Sequence, residues 1–141
     1  MIHKNTKINY TITGRGDKYV LFLHGWGGNE DSFDNIYYTL SHNFSVISIN
    51  FTDITRGYIN KPLTMHDYVV KVLWILNNLK IKKCHIVCHS FGFRIALLLN
   101  RDSGIHIDSM VIIDGAGIKY QSIFTKCFYK IIFNHNMGEV I

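Results

Sequence analysis

The sequence predicts an α/β domain, a mostly parallel sheet flanked by helices, on three observations. Short apolar runs alternate along the chain with longer stretches of helical periodicity. The run Tyr19-Val20-Leu21-Phe22-Leu23 is continuously apolar, as a strand buried on both faces of a parallel sheet is. Finally, Ile86-Val87-Cys88-His89-Ser90-Phe91-Gly92-Phe93 passes from an apolar run through a tight turn straight into a helix-compatible segment.

Taken in order, Lys7 to Thr13 alternates polar and apolar residues and reads as a half-buried, antiparallel strand. Gly14-Arg15-Gly16-Asp17 turns the chain into Tyr19–Leu23, and the glycine-rich His24-Gly25-Trp26-Gly27-Gly28 follows. Asn29 or Asp31 can cap a helix with Phe33, Ile36, Tyr37 and Leu40 on its apolar face. Ser45–Asn50 is the next strand, and Thr52 to Pro62 is polar and irregular. Thr64 and Asp67 have capping-box spacing ahead of a helix bearing Tyr68, Val69, Val72, Leu73, Leu76 and Leu79. His85–Cys88 is a strand, Phe93–Asn100 a helix and Met110–Asp114 a strand. In such a sheet, ligand chemistry gathers at the carboxyl ends of the strands, where His24, Asn50, Ser90 and Asp114 fall.

The 141 residues suffice for one domain with a core, and 48% apolar against 18% charged residues excludes a disordered class. The net charge of +5 is scattered; its densest cluster, Lys80, Lys82 and Lys83, is a solvated loop and no nucleic-acid partner is expected. No run reaches the ~20 apolar residues of a membrane span, and the polar start lacks the apolar core of a signal peptide, so a cytoplasmic location is expected. Cys84, Cys88 and Cys127 suit a reducing compartment. On one strand Cys84 and Cys88 lie roughly 13 Å apart, too far for a disulfide, and the intervening histidines alternate between faces, so core cysteines and no metal are expected.

Two stretches carry chemistry. Ser90 stands at the apex of a strand–turn–helix, where backbone N–H groups and the helix dipole favour developing negative charge. The glycines around Trp26 let a backbone approach a bound oxygen closely. A dinucleotide fingerprint would need glycine at Glu30, where a carboxylate would repel a pyrophosphate, and no cofactor is expected. A bland alternative for Ser90 is a helix cap.

The Ser90 stretch resembles the nucleophile elbow G-x-S-x-G of the α/β-hydrolase superfamily, with Cys88 where the first glycine usually stands, and His24-Gly25-Trp26-Gly27-Gly28 resembles its oxyanion loop. The resemblance runs from about Ile8 to Gly117. It implies Ser90 as the nucleophile and the N–H groups of Trp26 and Phe91 as the oxyanion hole, with His24, Gly25, Gly27, His89 and Gly92 supporting the motifs. Serine at this position, where related dehalogenases and epoxide hydrolases carry aspartate, implies acyl transfer to water from a small-molecule acyl substrate, of esterase or thioesterase type. The family's last triad member, a late histidine, has no candidate here. Asp114 stands where some lipases place their acid, and Asn50–Gly57 departs from the D-x-x-G-x-G-x-S run of many relatives.

The resemblance therefore implies the N-terminal half of a core over residues 1–117, truncated after the strand that follows the elbow. Residues 118–141 are expected to be the start of a cap, or an orphan amphipathic tail, with one amphipathic helix over residues 118–133. Met110–Asp114 would then be an open sheet edge, and self-association through it is expected. The alternative function is a non-catalytic hydrolase-like module that lacks the triad histidine.

Overall fold

A computed structural model describes residues 9–52, 63–117 and 131–134. Its elements are β1 (Tyr10–Thr13), β2 (Lys18–Leu23), a 3₁₀ turn (Glu30–Phe33), α1 (Asp34–Ser41), β3 (Phe44–Ile49), α2 (Met65–Asn78), β4 (Lys83–His89), α3 (Phe91–Asp102), β5 (His106–Ile113) and β6 (Ile131–Asn134). They form one six-stranded sheet in the order β1-β3-β2-β4-β5-β6. The four inner strands are parallel, and β1 and β6 run antiparallel to their neighbours.

The strand pattern sorts residues to the two faces as a period of two requires. Leu21, Leu23, Ile47, Ile49, Cys84, Ile86, Cys88, Met110 and Ile112 share one buried cluster with the apolar sides of α2 and α3. Val20, Phe22, Val46 and Val87 face the other way, onto Phe33 and Tyr37 at the start of α1. The continuous apolar run of β2 is thus buried on both faces, and each such side chain contributes roughly 1.5–3 kcal/mol. α2 begins at the expected cap: Thr64 accepts from the Asp67 N–H while the Asp67 carboxylate accepts from the Thr64 N–H at 2.8 Å. Cys84 and Cys88 are free, buried thiols whose pKa burial pushes up to about 12, so they are inert core residues at neutral pH.

Topology fixes where a site can form. The chain leaves β2, crosses through α1 to β3 on one side, and returns through α2 to β4 on the other side of β2. The carboxyl ends of β2 and β4 therefore flank the switch point of the sheet, where the crossing loops diverge and leave a crevice.

Four expectations are corrected. The edge expected at β5 is closed, because β6 pairs with it antiparallel, Met110 opposite Phe133 and Val111 opposite Ile132, and β6 becomes the outer strand. Within the tail expected to be one amphipathic helix, Ile131–Asn134 is a strand, since its backbone N–H and C=O groups find partners on the β5 edge; residues 118–130 lie outside the described residues. Ile36 is 41% exposed, because the first turn after Asn29 is a tighter 3₁₀ turn, which rotates α1 away from the face that a continuous helix would bury. β1 is antiparallel as expected but barely buried, with Thr11, Ile12 and Thr13 exposed at the sheet's edge. Lys7, Ile8, Cys127 and most of Thr52–Pro62 lie outside the described residues.

Candidate active site

Ser90 occupies the junction of β4 and α3 with φ +46° and ψ −112°, a backbone conformation that L-residues rarely adopt. The turn is held from both sides. Its N–H donates to the Ile113 carbonyl at 3.0 Å, and its own carbonyl accepts from Phe93 N–H at 3.1 Å and Ala116 N–H at 3.2 Å. Although Ser90 stands at the N-cap position of α3, its side chain makes no capping hydrogen bond. The bland role as a helix cap is therefore not the one it plays. Strain at this residue gives a prediction: Ser90→Gly should stabilise the chain by about 1 kcal/mol in urea denaturation, and a loss of stability would show that the turn is relaxed.

Gly92 lets the elbow close. A Cβ there would lie 2.1 Å from the Leu23 carbonyl oxygen and 2.9 Å from that of His24, so α3 and the end of β2 approach backbone to backbone. Cys88 takes the place of the usual first glycine without disturbance, fully buried with Sγ 3.5 Å from the Val111 carbonyl. Its side chain points into the helical layer, away from the turn's apex.

The loop after β2 backs onto Ser90. A Cβ on Gly25 would lie 2.7 Å from His89 Nδ1 and 3.3 Å from Ser90 Cβ. Gly28 N–H donates to the Gly25 carbonyl at 3.1 Å, closing a turn with Gly27 at φ +76°. His24, only 2% exposed, sets the orientation of this loop. Its Nε2 accepts from the Phe51 N–H at 2.9 Å, so Nδ1 carries the proton and donates to the Gly25 carbonyl at 2.7 Å. The peptide unit is planar and trans, so fixing the Gly25 oxygen also fixes the Trp26 N–H, which points the opposite way. Neither that N–H nor the Phe91 N–H has a hydrogen-bond partner among the described residues. The second is one of the orphan donors that every helix N-terminus leaves.

Burial holds the pKa of His24 below its ordinary value of 6.5, with the Gly25 carbonyl and the Glu30 charge opposing the shift. The folded chain therefore binds fewer protons at this residue than the unfolded chain, and stability falls as pH drops below about 6.5. Protonation at Nε2 would also remove the acceptor for Phe51. Thermal unfolding between pH 7.5 and 5.5 should show a falling midpoint, and His24→Gln should flatten that dependence; an unchanged slope in the variant would remove His24 as its source.

The sequence's other candidates are placed as follows. His89 packs against Gly25 beside Ser90, and Asp114 is exposed just past the end of β5 at φ +45°. No histidine is hydrogen-bonded to Ser90 among the described residues, and no metal-holding cluster is found among them. Sequence reasoning missed the wall of the crevice. A cleft of about 210 Å³ beside Ser90 is lined by His24, Gly25, Trp26, Gly27, Phe51, Thr52, Tyr68 and Phe91. Phe51 follows a strand end and was findable by that rule; Tyr68 reads as an ordinary core position of α2.

Comparison with known proteins identifies the family. The alpha/beta hydrolase fold matches residues 18–137, and the chain belongs to that family. It is similar to a strigolactone esterase of Pisum sativum, 27% identical over 97 residues, which cover 64% of this chain and 36% of that protein. Among solved structures it resembles Est816, described as an N-acyl homoserine lactone degrading enzyme, at 25% identity and a TM-score of 0.66, covering 77% of this chain and 42% of the other. It also resembles a structure from work on carboxylesterases of the thaumarchaeon Nitrososphaera gargenis, at 25% identity and a TM-score of 0.65, covering 86% and 47%. The chain thus spans less than half the length of these relatives.

Proposed function

We propose that the chain carries the nucleophile and oxyanion hole of a serine hydrolase that transfers an acyl group from a small-molecule ester or thioester to water. One observation carries the reading: Ser90 is held in a strained turn with its hydroxyl unused by the helix that it precedes. Attack by Ser90 Oγ on an acyl carbonyl would place the developing oxyanion near the free N–H groups of Trp26 and Phe91, which need no reorganisation to receive it. Two esterase relatives and one described as degrading N-acyl homoserine lactones support the class, and serine at the apex supports acyl chemistry. The proton of Ser90 requires a base, which no described histidine supplies by hydrogen bonding.

In a form of the protein that supplies a base to Ser90, fluorophosphonate treatment followed by peptide mapping should place the adduct on Ser90. Ser90→Ala should abolish it and Cys88→Ala should retain it. Undiminished labelling of the Ser90→Ala chain would remove Ser90 from the reading. The absence of a histidine bonded to Ser90 among the described residues favours a second reading, a hydrolase-like module without activity of its own.

A further inference from the structure

The cleft beside Ser90 is walled by rings packed edge to face. Phe91 stands at its centre, 5.4 Å from Trp26, 5.1 Å from Tyr68 and 6.1 Å from Phe51, and Phe51 in turn lies 5.8 Å from Tyr68. Among the described residues, no carboxylate, lysine or arginine lines it. Its volume, about 210 Å³, falls below the roughly 300–1,000 Å³ of sites for drug-sized ligands. It exceeds the ~150 Å³ apolar cavity that suffices for a benzene ring. The described part of the cleft, which is open on one side, has room for one ring with a small substituent.

The side-chain polar atoms of the lining are mostly committed, the exposed Trp26 indole N–H apart. Both nitrogens of His24 are hydrogen-bonded, and Thr52 gives its N–H and its hydroxyl to Asn50 Oδ1. Tyr68 differs: it is 3% exposed, it lines the cleft, and its hydroxyl has no hydrogen-bond partner among the described residues. The hydroxyl oxygen is not among the buried unpaired atoms of the described residues, so it opens onto the cleft and is free to donate to a bound group.

We propose that this cleft holds a compact, uncharged, ring-sized apolar group, and that the Tyr68 hydroxyl donates a hydrogen bond to one oxygen of that group. That the group is the acyl part of a substrate rests on the hydrolase reading; the binding chemistry does not. The rings supply contact area, and Tyr68 discriminates between an oxygen-bearing ligand and a pure hydrocarbon of the same shape. Phe91 then serves twice, its N–H toward an oxyanion and its ring as the wall that orients the ligand.

The test is a chemical-shift titration of the 141-residue chain with four probes of similar size: acetophenone, ethylbenzene, benzoate and phenyltrimethylammonium. Acetophenone should bind most tightly, shifting the Trp26 indole N–H and the Gly27 and Phe91 amides. Tyr68→Phe should weaken acetophenone about 3- to 10-fold and leave ethylbenzene within twofold. Tighter binding of either charged probe, or no shifts at the solubility limit of acetophenone, would overturn the proposal. Equal affinity for the ketone and the hydrocarbon in the unaltered chain would overturn the role of Tyr68 without any variant. Binding needs no reaction at Ser90, so the Ser90→Ala chain should bind acetophenone unchanged. Intact binding without a fluorophosphonate adduct in the form that supplies a base would refute the nucleophile alone, and an adduct without binding would refute the cleft alone.

Discussion

Gly92→Ala should abolish cooperative folding. The added methyl would meet the Leu23 carbonyl oxygen at 2.1 Å and its carbon at 2.6 Å, and neither atom belongs to a side chain that can swing aside. Relief requires α3 to move off the end of β2, which pulls Phe93, Ile95 and Ala96 out of the larger core cluster. The cost should reach or exceed the ~3 kcal/mol upper range for overpacking, a large part of the roughly 5–15 kcal/mol that stabilises a domain. Gly27→Ala is the contrast. Its position is open, and only the positive φ of +76° opposes the change, so about 1 kcal/mol is expected. Urea denaturation followed by circular dichroism would compare the two. A Gly92→Ala chain as stable as the Gly27→Ala chain would show that the elbow does not depend on this backbone contact.

Turnover of a short p-nitrophenyl ester by the 141-residue chain should lie near the uncatalysed background. A serine hydroxyl is almost wholly protonated at neutral pH, and a positioned base typically contributes ~10²–10⁴-fold. His24 cannot act as that base, because its Nε2 is occupied by the Phe51 N–H and its Nδ1 donates to Gly25. His89 packs against Gly25. What remains is Ser90 and the two N–H groups proposed to hold an oxyanion. Robust turnover that Ser90→Ala abolishes would mean that a base does reach Ser90 within these residues, and the account of the site would be wrong.

The parts of the fold that were legible in the sequence are those that local chemistry specifies. The capping pair Thr64–Asp67 announced α2, and the unbroken apolar run of β2 announced a strand with both faces covered. The Ser90–Gly92 spacing announced a turn that only a small residue can close. Ile36 was misread because a 3₁₀ turn and an α-turn share the same apolar spacing over so few residues. The closed edge at β5 was missed because strand pairing across a long connection leaves no local trace.

The sequence by itself determined the fold class, the order of the elements from β1 to β5 and the position of Ser90 at a strand–helix turn, because periodicity, capping and turn chemistry act between residues only a few apart. The tertiary structure alone decided that His24 holds the Trp26 peptide through Gly25 and Phe51. It also decided that Phe51 and Tyr68 join Trp26 and Phe91 around one cleft. Those contacts bring together the ends of β2 and β3, the first turn of α2 and the start of α3. Their meeting depends on where the sheet's strand order reverses, which no local pattern encodes.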